Sequence, residues 1–157
     1  MKNIILCDLD GTLANIDHRL HLVKDEHPNW DEFYNSCDQD NPNEWCISLL
    51  NALHIAKDIQ TILIVSARRA SLKRKSVRWI NRLLPWFDGR SLVLVRPDGN
   101  HEEDQELKRR WLHESGLKDR VLFVIDDRSK VCSMWREEGL VCLQCADWKE
   151  YKNEKSK

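Results

Sequence analysis

Asn3-Ile4-Ile5-Leu6-Cys7-Asp8-Leu9-Asp10-Gly11-Thr12 is a compact apolar run that stops at two carboxylates and a glycine. A strand apolar on both faces belongs inside a parallel sheet covered from both sides. Gly11 permits a sharp turn just past the strand, so both carboxylates can remain near its end. Similar runs recur at 61–65, 91–95, 121–125 and 140–143. Helical patterns lie between them. One covers about 42–57, where Asn41-Pro42-Asn43-Glu44 offers a cap, a first-turn proline and a glutamate three residues after the cap. The others cover 70–84, 102–115 and 129–138, stopped by Pro85, Gly116 and Gly139. This alternation predicts an α/β fold: a doubly wound parallel sheet whose ligands bind in the crevice beyond the carboxyl ends of the strands.

With 157 residues, 41% hydrophobic and 32% charged, the chain suits a single globular domain, expected over 1–150 with a polar tail at 151–157. The segment from about 14 to 40 is long for a strand-to-helix connection. It holds His18, Arg19, His21, His27, Trp30, Phe33 and Tyr34. Because it leaves the end of the first strand, it is predicted to be a short lid insertion over the crevice. Its histidines read as polar contacts of the lid, and Trp30 and Tyr34 as its candidate base-stacking residues. The N-terminal apolar run is too short for a signal peptide, and no stretch approaches the roughly 20 apolar residues that cross a bilayer. A cytoplasmic protein without membrane contact is expected. Six cysteines are then expected to be reduced, with Cys142 and Cys145 in the core rather than half of a zinc site. A net charge of −1 argues against gripping nucleic acid with the whole surface. The local basic concentration of Arg68, Arg69, Lys73, Arg74, Lys75 and Arg78 reads as a solvated helix face or a docking surface.

The predicted strand ends carry the chemistry: Asp8 and Asp10 after the first, Ser66 and Arg68 after the second, Arg96 after the third, Asp126 and Asp127 after the fourth. Carboxylates gathered this way repel one another unless a hard cation sits among them, and oxygen-only donors suit Mg2+. Arg68, Arg96 and Lys108 bring positive charge to the same crevice, which calls for an anion as well. A phosphate monoester meets both demands. Water is one candidate nucleophile. The spacing of Asp8 and Asp10 suggests the other, covalent route, with Asp8 attacking phosphorus and Asp10 protonating the departing alkoxide before activating water.

Asp8 to Thr12 resembles the DxDGT motif of the haloacid dehalogenase superfamily, and Ser66, Lys108 and the Asp126-Asp127 pair resemble its remaining motifs in order. The whole chain is similar to the 3′-phosphatase domains of the bacteriophage polynucleotide kinase type. Arg19, Ser66-Ala67-Arg68, Arg96, Asp126-Asp127-Arg128 and Met134-Trp135-Arg136 carry that likeness. The resemblance implies that Asp8, Asp126 and the main-chain carbonyl of Asp10 hold Mg2+, with Asp127 supporting the metal site. It implies that Asp8, Asp10, Ser66 and Lys108 are catalytic. Thr12, Arg19, Arg68 and Arg96 fall on the substrate side. Ala67 departs from the family's glycine without removing a functional group. No GxxxxGK[ST] loop occurs in the chain, so kinase activity is not expected.

A signalling receiver domain also combines aspartates, a hydroxyl, a lysine and magnesium, but its phosphoacceptor follows the third strand, where this chain has Arg96-Pro97. The expected function is therefore a magnesium-dependent phosphomonoesterase acting through an aspartyl phosphate on polynucleotide 3′ ends. A deoxynucleoside 5′-monophosphatase is the alternative, and a non-catalytic docking module of a repair complex a distant one. Expected partners are a phosphorylated nucleic acid end or nucleotide as substrate, and a separate kinase or ligase.

Overall fold

β1 (Ile4–Cys7) is buried along its whole length because its side chains alternate into two apolar layers. The computed structural model describes residues 1–24 and 26–146, so the tail expected at 151–157 lies outside the described residues. After β1 come β2 (Ala14–Asn15), α1 (Asp17–Lys24), α2 (Trp30–Asn35), β3 (Asn41–Pro42) and α3 (Glu44–His54). The chain continues through β4 (Thr61–Arg69), α4 (Lys73–Leu83), β5 (Leu92–Arg96), α5 (Asp104–Ser115), β6 (Val121–Asp126), α6 (Ser129–Glu137) and β7 (Cys142–Gln144). Short 3-10 turns occupy Cys37–Gln39, Ala70–Leu72 and Lys118–Arg120.

The main sheet has the order β5-β4-β1-β6-β7, with every neighbouring pair parallel. Ile5 and Cys7 of β1 join Ile64, Ile125, Leu50 of α3 and Ile80 of α4 in one buried layer. Ile4 and Leu6 point the other way, to Val124, Leu112 of α5, and Val131 and Trp135 of α6. The doubly wound expectation is met. The chain winds outward from β1 to β4 and β5, then returns to lay β6 on the other side of β1. That reversal opens a crevice at the carboxyl ends of β1 and β6, where ligands bind in such sheets.

Several boundaries differ from the sequence reading, each for a local reason. Asn41-Pro42 does not start a helix, because it pairs antiparallel with Ala14-Asn15 as β3. Asn43 becomes the helix N-cap position, and its Nδ2 donates to the Thr12 carbonyl at 2.8 Å instead of capping α3. The expected capping box is thus replaced by a tie between the first loop and the start of α3. β4 runs on to Arg69 through a register shift against β5, so Ser66 and Arg68 lie within the strand rather than after it. Gly116 ends α5 in a left-handed conformation, φ 65°, as its place in the sequence suggested.

The insertion between β2 and β3 is largely helical. Asn29 caps α2 reciprocally, with its Oδ1 accepting from the Glu32 amide at 3.1 Å and its Nδ2 donating to Glu32 Oε2 at 2.8 Å. Among the described residues, no helix is long and apolar enough to cross a membrane.

Leu6→Ala removes a fully buried side chain from the central strand. It is expected to lower the unfolding free energy by about 2–5 kcal/mol. Ile55→Ala, at a position 80% exposed, is expected to change it by less than about 0.5 kcal/mol. Urea titration of the two variants checks the contrast.

Candidate active site

The backbone beyond β1 curls back on itself: the Gly11 amide donates to the Ala14 carbonyl at 2.8 Å and the Ala14 amide to the Leu9 carbonyl at 2.8 Å. Gly11 takes φ 90°, a conformation that a side chain would strain. Upstream, the Asp8 amide donates to the Ile125 carbonyl of β6 at 2.9 Å. These bonds fix Asp8 beside the end of β6, which carries Asp126 and Asp127.

One oxygen from each of Asp8, Asp126 and Asp127 lies within 4.8 Å of the others, and all three residues are buried. Lys108 reaches in from α5, its Nζ 2.5 Å from Asp8 Oδ1 and 2.8 Å from Asp126 Oδ2. Burial alone would lower the lysine's proton affinity, but the charges of Asp126 and Asp8 outweigh it and hold its pKa above the usual lysine value. Burial pushes Asp8 well above the usual carboxylate range; Lys108 opposes the shift and Asp126 and Asp127 add to it. Asp126 is tethered, accepting from the Asp127 amide at 3.0 Å through Oδ1 and from Trp135 Nε1 at 3.1 Å through Oδ2. Thr12 Oγ1 donates to Asp127 Oδ1 at 3.2 Å. Three buried carboxylates, two of them bonded to one lysine, form an oxygen-only donor set, which fits a hard divalent cation such as Mg2+. Asp8, Asp126 and Asp127 would hold it with side-chain oxygens. The Asp10 side chain is directed elsewhere.

Asp10 faces two arginines. Arg68 grips it from two nitrogens, Nε to Oδ2 at 2.8 Å and Nη2 to Oδ1 at 2.7 Å, and Arg19 Nη2 also donates to Oδ1. Behind them, Asp40 accepts from Arg19 Nε at 2.7 Å, Arg19 Nη2 at 2.7 Å and Arg68 Nη2 at 2.9 Å. His18 Nε2 lies 2.8 Å from the same carboxylate. Both arginine side chains are fully buried, so this is a closed network of two guanidinium and two carboxylate groups. Burial would raise the Asp10 pKa, but Arg68 and Arg19 overcome it and hold the carboxyl well below its ordinary range. Arg19 and Arg68, read from sequence as substrate-side groups, are here the groups that aim Asp10.

Ser66 is buried and its Oγ accepts from the Arg68 amide at 3.2 Å. Arg96 organises the loop after β5. It donates to the carbonyls of Ala67, Asn100 and Glu102 at 2.9–3.0 Å, and its Nη2 lies 2.5 Å from Asp104 Oδ1. Asp104 also accepts from Arg128. A cavity of about 430 Å³ opens over these groups, with Asp8, Ser66 and Lys108 among its lining and Ile16, Trp30 and Tyr34 contributed by the insertion. The expected site residues Asp8, Asp10, Ser66, Arg68, Arg96, Lys108, Asp126 and Asp127 all line it. Arg19 and Thr12 stand behind that lining, each bonded to a residue within it.

A strand-end aspartate, a second carboxylate pair, a buried lysine and a serine meet on a doubly wound sheet, and the chain falls in the haloacid dehalogenase superfamily. Within that superfamily the chain belongs to the family described as the polynucleotide kinase PNKP phosphatase domain, whose model matches residues 2–149. A chain of the Pnkp1/Rnl/Hen1 complex is similar at 26% identity and a TM-score of 0.71, over 93% of this chain and 46% of that one. This chain thus spans under half of that relative's length. CbbY from Rhodobacter sphaeroides in complex with phosphate matches at 13% identity and a TM-score of 0.57, over 94% of this chain and 88% of that one. A HAD family enzyme from Bacteroides thetaiotaomicron matches at 14% identity and a TM-score of 0.55, covering 98% of both chains. At these last two identities the likeness is one of fold.

Sequence reading missed Asp40 and Asp104, the carboxylates that hold the arginines, and Ser76, whose Oγ accepts from Arg68 Nη1 at 3.1 Å. It also gave no bonding role to Trp135. Asp40→Asn leaves Arg19 and Arg68 sharing one full carboxylate and is expected to cost about 3–5 kcal/mol of stability, measured by urea titration. The depressed pKa of Asp10 sets a sign for pH dependence. Its charge stabilises the fold fully above the unfolded value of about 3.9, and that contribution disappears as pH falls through the lower folded value. The stability gap between the wild type and Asp10→Asn is therefore expected to be constant above about pH 5 and to shrink steadily below it. Thermal melts across pH 3–7 read this directly.

Proposed function

We propose that this protein is a magnesium-dependent phosphomonoesterase that forms an aspartyl phosphate on Asp8 and removes 3′-phosphates from polynucleotide ends. The observation that carries the reading is the Asp8 carboxylate, fixed between a metal-fitting aspartate pair and Lys108 on the wall of a cavity. The family match to a polynucleotide kinase phosphatase domain supports the substrate class.

In this reading Asp8 attacks phosphorus in line with the ester oxygen, forming an Asp8–phosphorus bond as the phosphorus–sugar oxygen bond breaks. A bound Mg2+ would supply charge neutralisation between the Asp8 carboxylate and the phosphate. Lys108 and Ser66 bind the transferring phosphate oxygens, which gives Lys108 a partner when Asp8 loses its charge. Asp10 begins as a carboxylate held by Arg68 and Arg19. An arriving phosphate dianion raises its proton affinity by direct repulsion, so that it takes up from solvent the proton needed by the departing 3′-oxygen. Giving that proton to the departing alkoxide leaves Asp10 as a carboxylate, which the two arginines stabilise and which is suited to deprotonate the water that cleaves the acyl phosphate. The network around Asp40 keeps Asp10 in one place for both steps.

A deoxynucleoside 5′-monophosphatase is the second reading, favoured by one observation: a cavity near 430 Å³, partly walled by the insertion, is large enough for a whole small ligand. A separate kinase or ligase partner belongs to the proposal and is supported by the likeness to a chain of the Pnkp1/Rnl/Hen1 RNA repair complex, 26% identical over 93% of this chain.

Phosphate release from a 3′-phosphorylated oligonucleotide, its 5′-phosphorylated isomer and free deoxynucleoside 5′-monophosphates decides among these readings. The 3′-phosphorylated strand is expected to be the best substrate, with activity abolished by excess chelator and restored by magnesium. Asp8→Asn is expected to lose at least about a thousandfold in kcat. Preference for free monophosphates would favour the nucleotidase, and chelator-insensitive release would contradict the metal assignment.

A further inference from the structure

α4 carries Lys73, Arg74, Lys75, Arg78 and Arg82 and no acidic residue. Three of these cations stand in its first turn, where the positive end of the helix dipole repels them. Helix stability therefore does not explain them. Lys75 and Arg82 are engaged by the insertion: Lys75 Nζ donates to the Asn35 carbonyl at 2.6 Å, and Arg82 Nη2 to the Asp38 carbonyl at 3.4 Å. Lys73, Arg74 and Arg78 are exposed, and none has a side-chain partner among the described residues. By contrast, the partly exposed Arg109 is answered by Glu137 and Glu138, and the chain's net charge is only −1. On α4 five cations gather with no acidic residue among them.

Its geometry is a track. Lys73, Val77 and Asn81 form one i, i+4, i+8 row and Arg74, Arg78 and Arg82 the next, and the six residues line an open groove. From Lys73 to Arg82 the helix rises about 13 Å, at roughly 1.5 Å per residue. That distance is long enough to meet successive phosphates of one strand. The track starts at the cavity: Arg69, which lines it, is separated from Lys73 only by the Ala70–Leu72 turn.

We propose that this stripe binds the phosphodiester backbone of the single strand whose 3′-phosphate enters the cavity; the identity of that strand rests on the function proposed above. Contacts made by lysine and arginine to phosphate are independent of base sequence, as an end-processing site requires. A protein partner fits less well, because protein interfaces centre on apolar and aromatic side chains, and the groove offers one valine.

Fluorescence anisotropy with a 3′-hydroxyl dodecanucleotide, over a salt series, tests the stripe without turnover, so its result is separate from that of the phosphate-release assay. The variant Lys73→Ala/Arg74→Ala/Arg78→Ala is expected to bind at least about tenfold more weakly at low salt, and the slope of log affinity against log salt to fall by about 2, at roughly 0.7 per phosphate contact. Arg78→Gln alone is expected to reduce that slope by about 0.7. Lys57→Ala, an exposed lysine outside the stripe, leaves it unchanged. Removing first-turn cations is expected to keep or raise the melting temperature. Absence of binding by the wild type, or equal affinity and slope in the wild type and the Arg78→Gln and triple variants, would overturn the proposal and leave the stripe to an acidic protein partner.

Discussion

Three buried carboxylates brought within ligand distance of one another, with one lysine among them, are the constraint on which the rest of this structure depends. Such a cluster is costly in a protein interior unless each charge is answered. Two of the carboxylates belong to β6 and its end, the third to the end of β1, so the cluster exists only when those strands pair in register. Trp135 on α6 and Lys108 on α5 both bond to Asp126, which ties the helices of one sheet face to the site. The apolar layers supply the cohesion that holds these groups where they would not gather unaided.

The second network has the opposite logic. Arg19, Arg68, Asp10 and Asp40 balance in charge, and each arginine touches both carboxylates. Trp79 of α4 also donates to the Asp40 carbonyl at 2.9 Å, so the base of the insertion is attached to the helix that follows β4. Asp8 and Asp10 thus stand two residues apart in contrasting surroundings. One carboxyl is destabilised in its charged form and the other is held charged.

The fold was legible where burial left a periodic trace. The apolar runs marked the five strands of the main sheet, and Pro85, Gly116 and Gly139 marked helix ends, because those residues act through local backbone geometry. The insertion was not legible as helix, because α1 buries an arginine instead of an apolar side chain. A pattern search for hydrophobic spacing passes over such a helix. Asp40 and Asp104 carried no motif spacing either, and their roles emerge only from the arginines that distant segments bring to them. Asn41-Pro42 misled for a related reason: its helix-start chemistry was overridden by pairing with Ala14-Asn15.

The central claim is that Asp8 becomes covalently phosphorylated. Mixing the protein with a 3′-phosphorylated oligonucleotide, quenching in acid within one turnover and mapping the modified peptide by mass tests it most directly. The account predicts a phosphoryl group on Asp8, accumulating before free phosphate appears. Turnover with no phosphoryl-protein at any quench time, or a phosphoryl group on a residue other than Asp8, would contradict it.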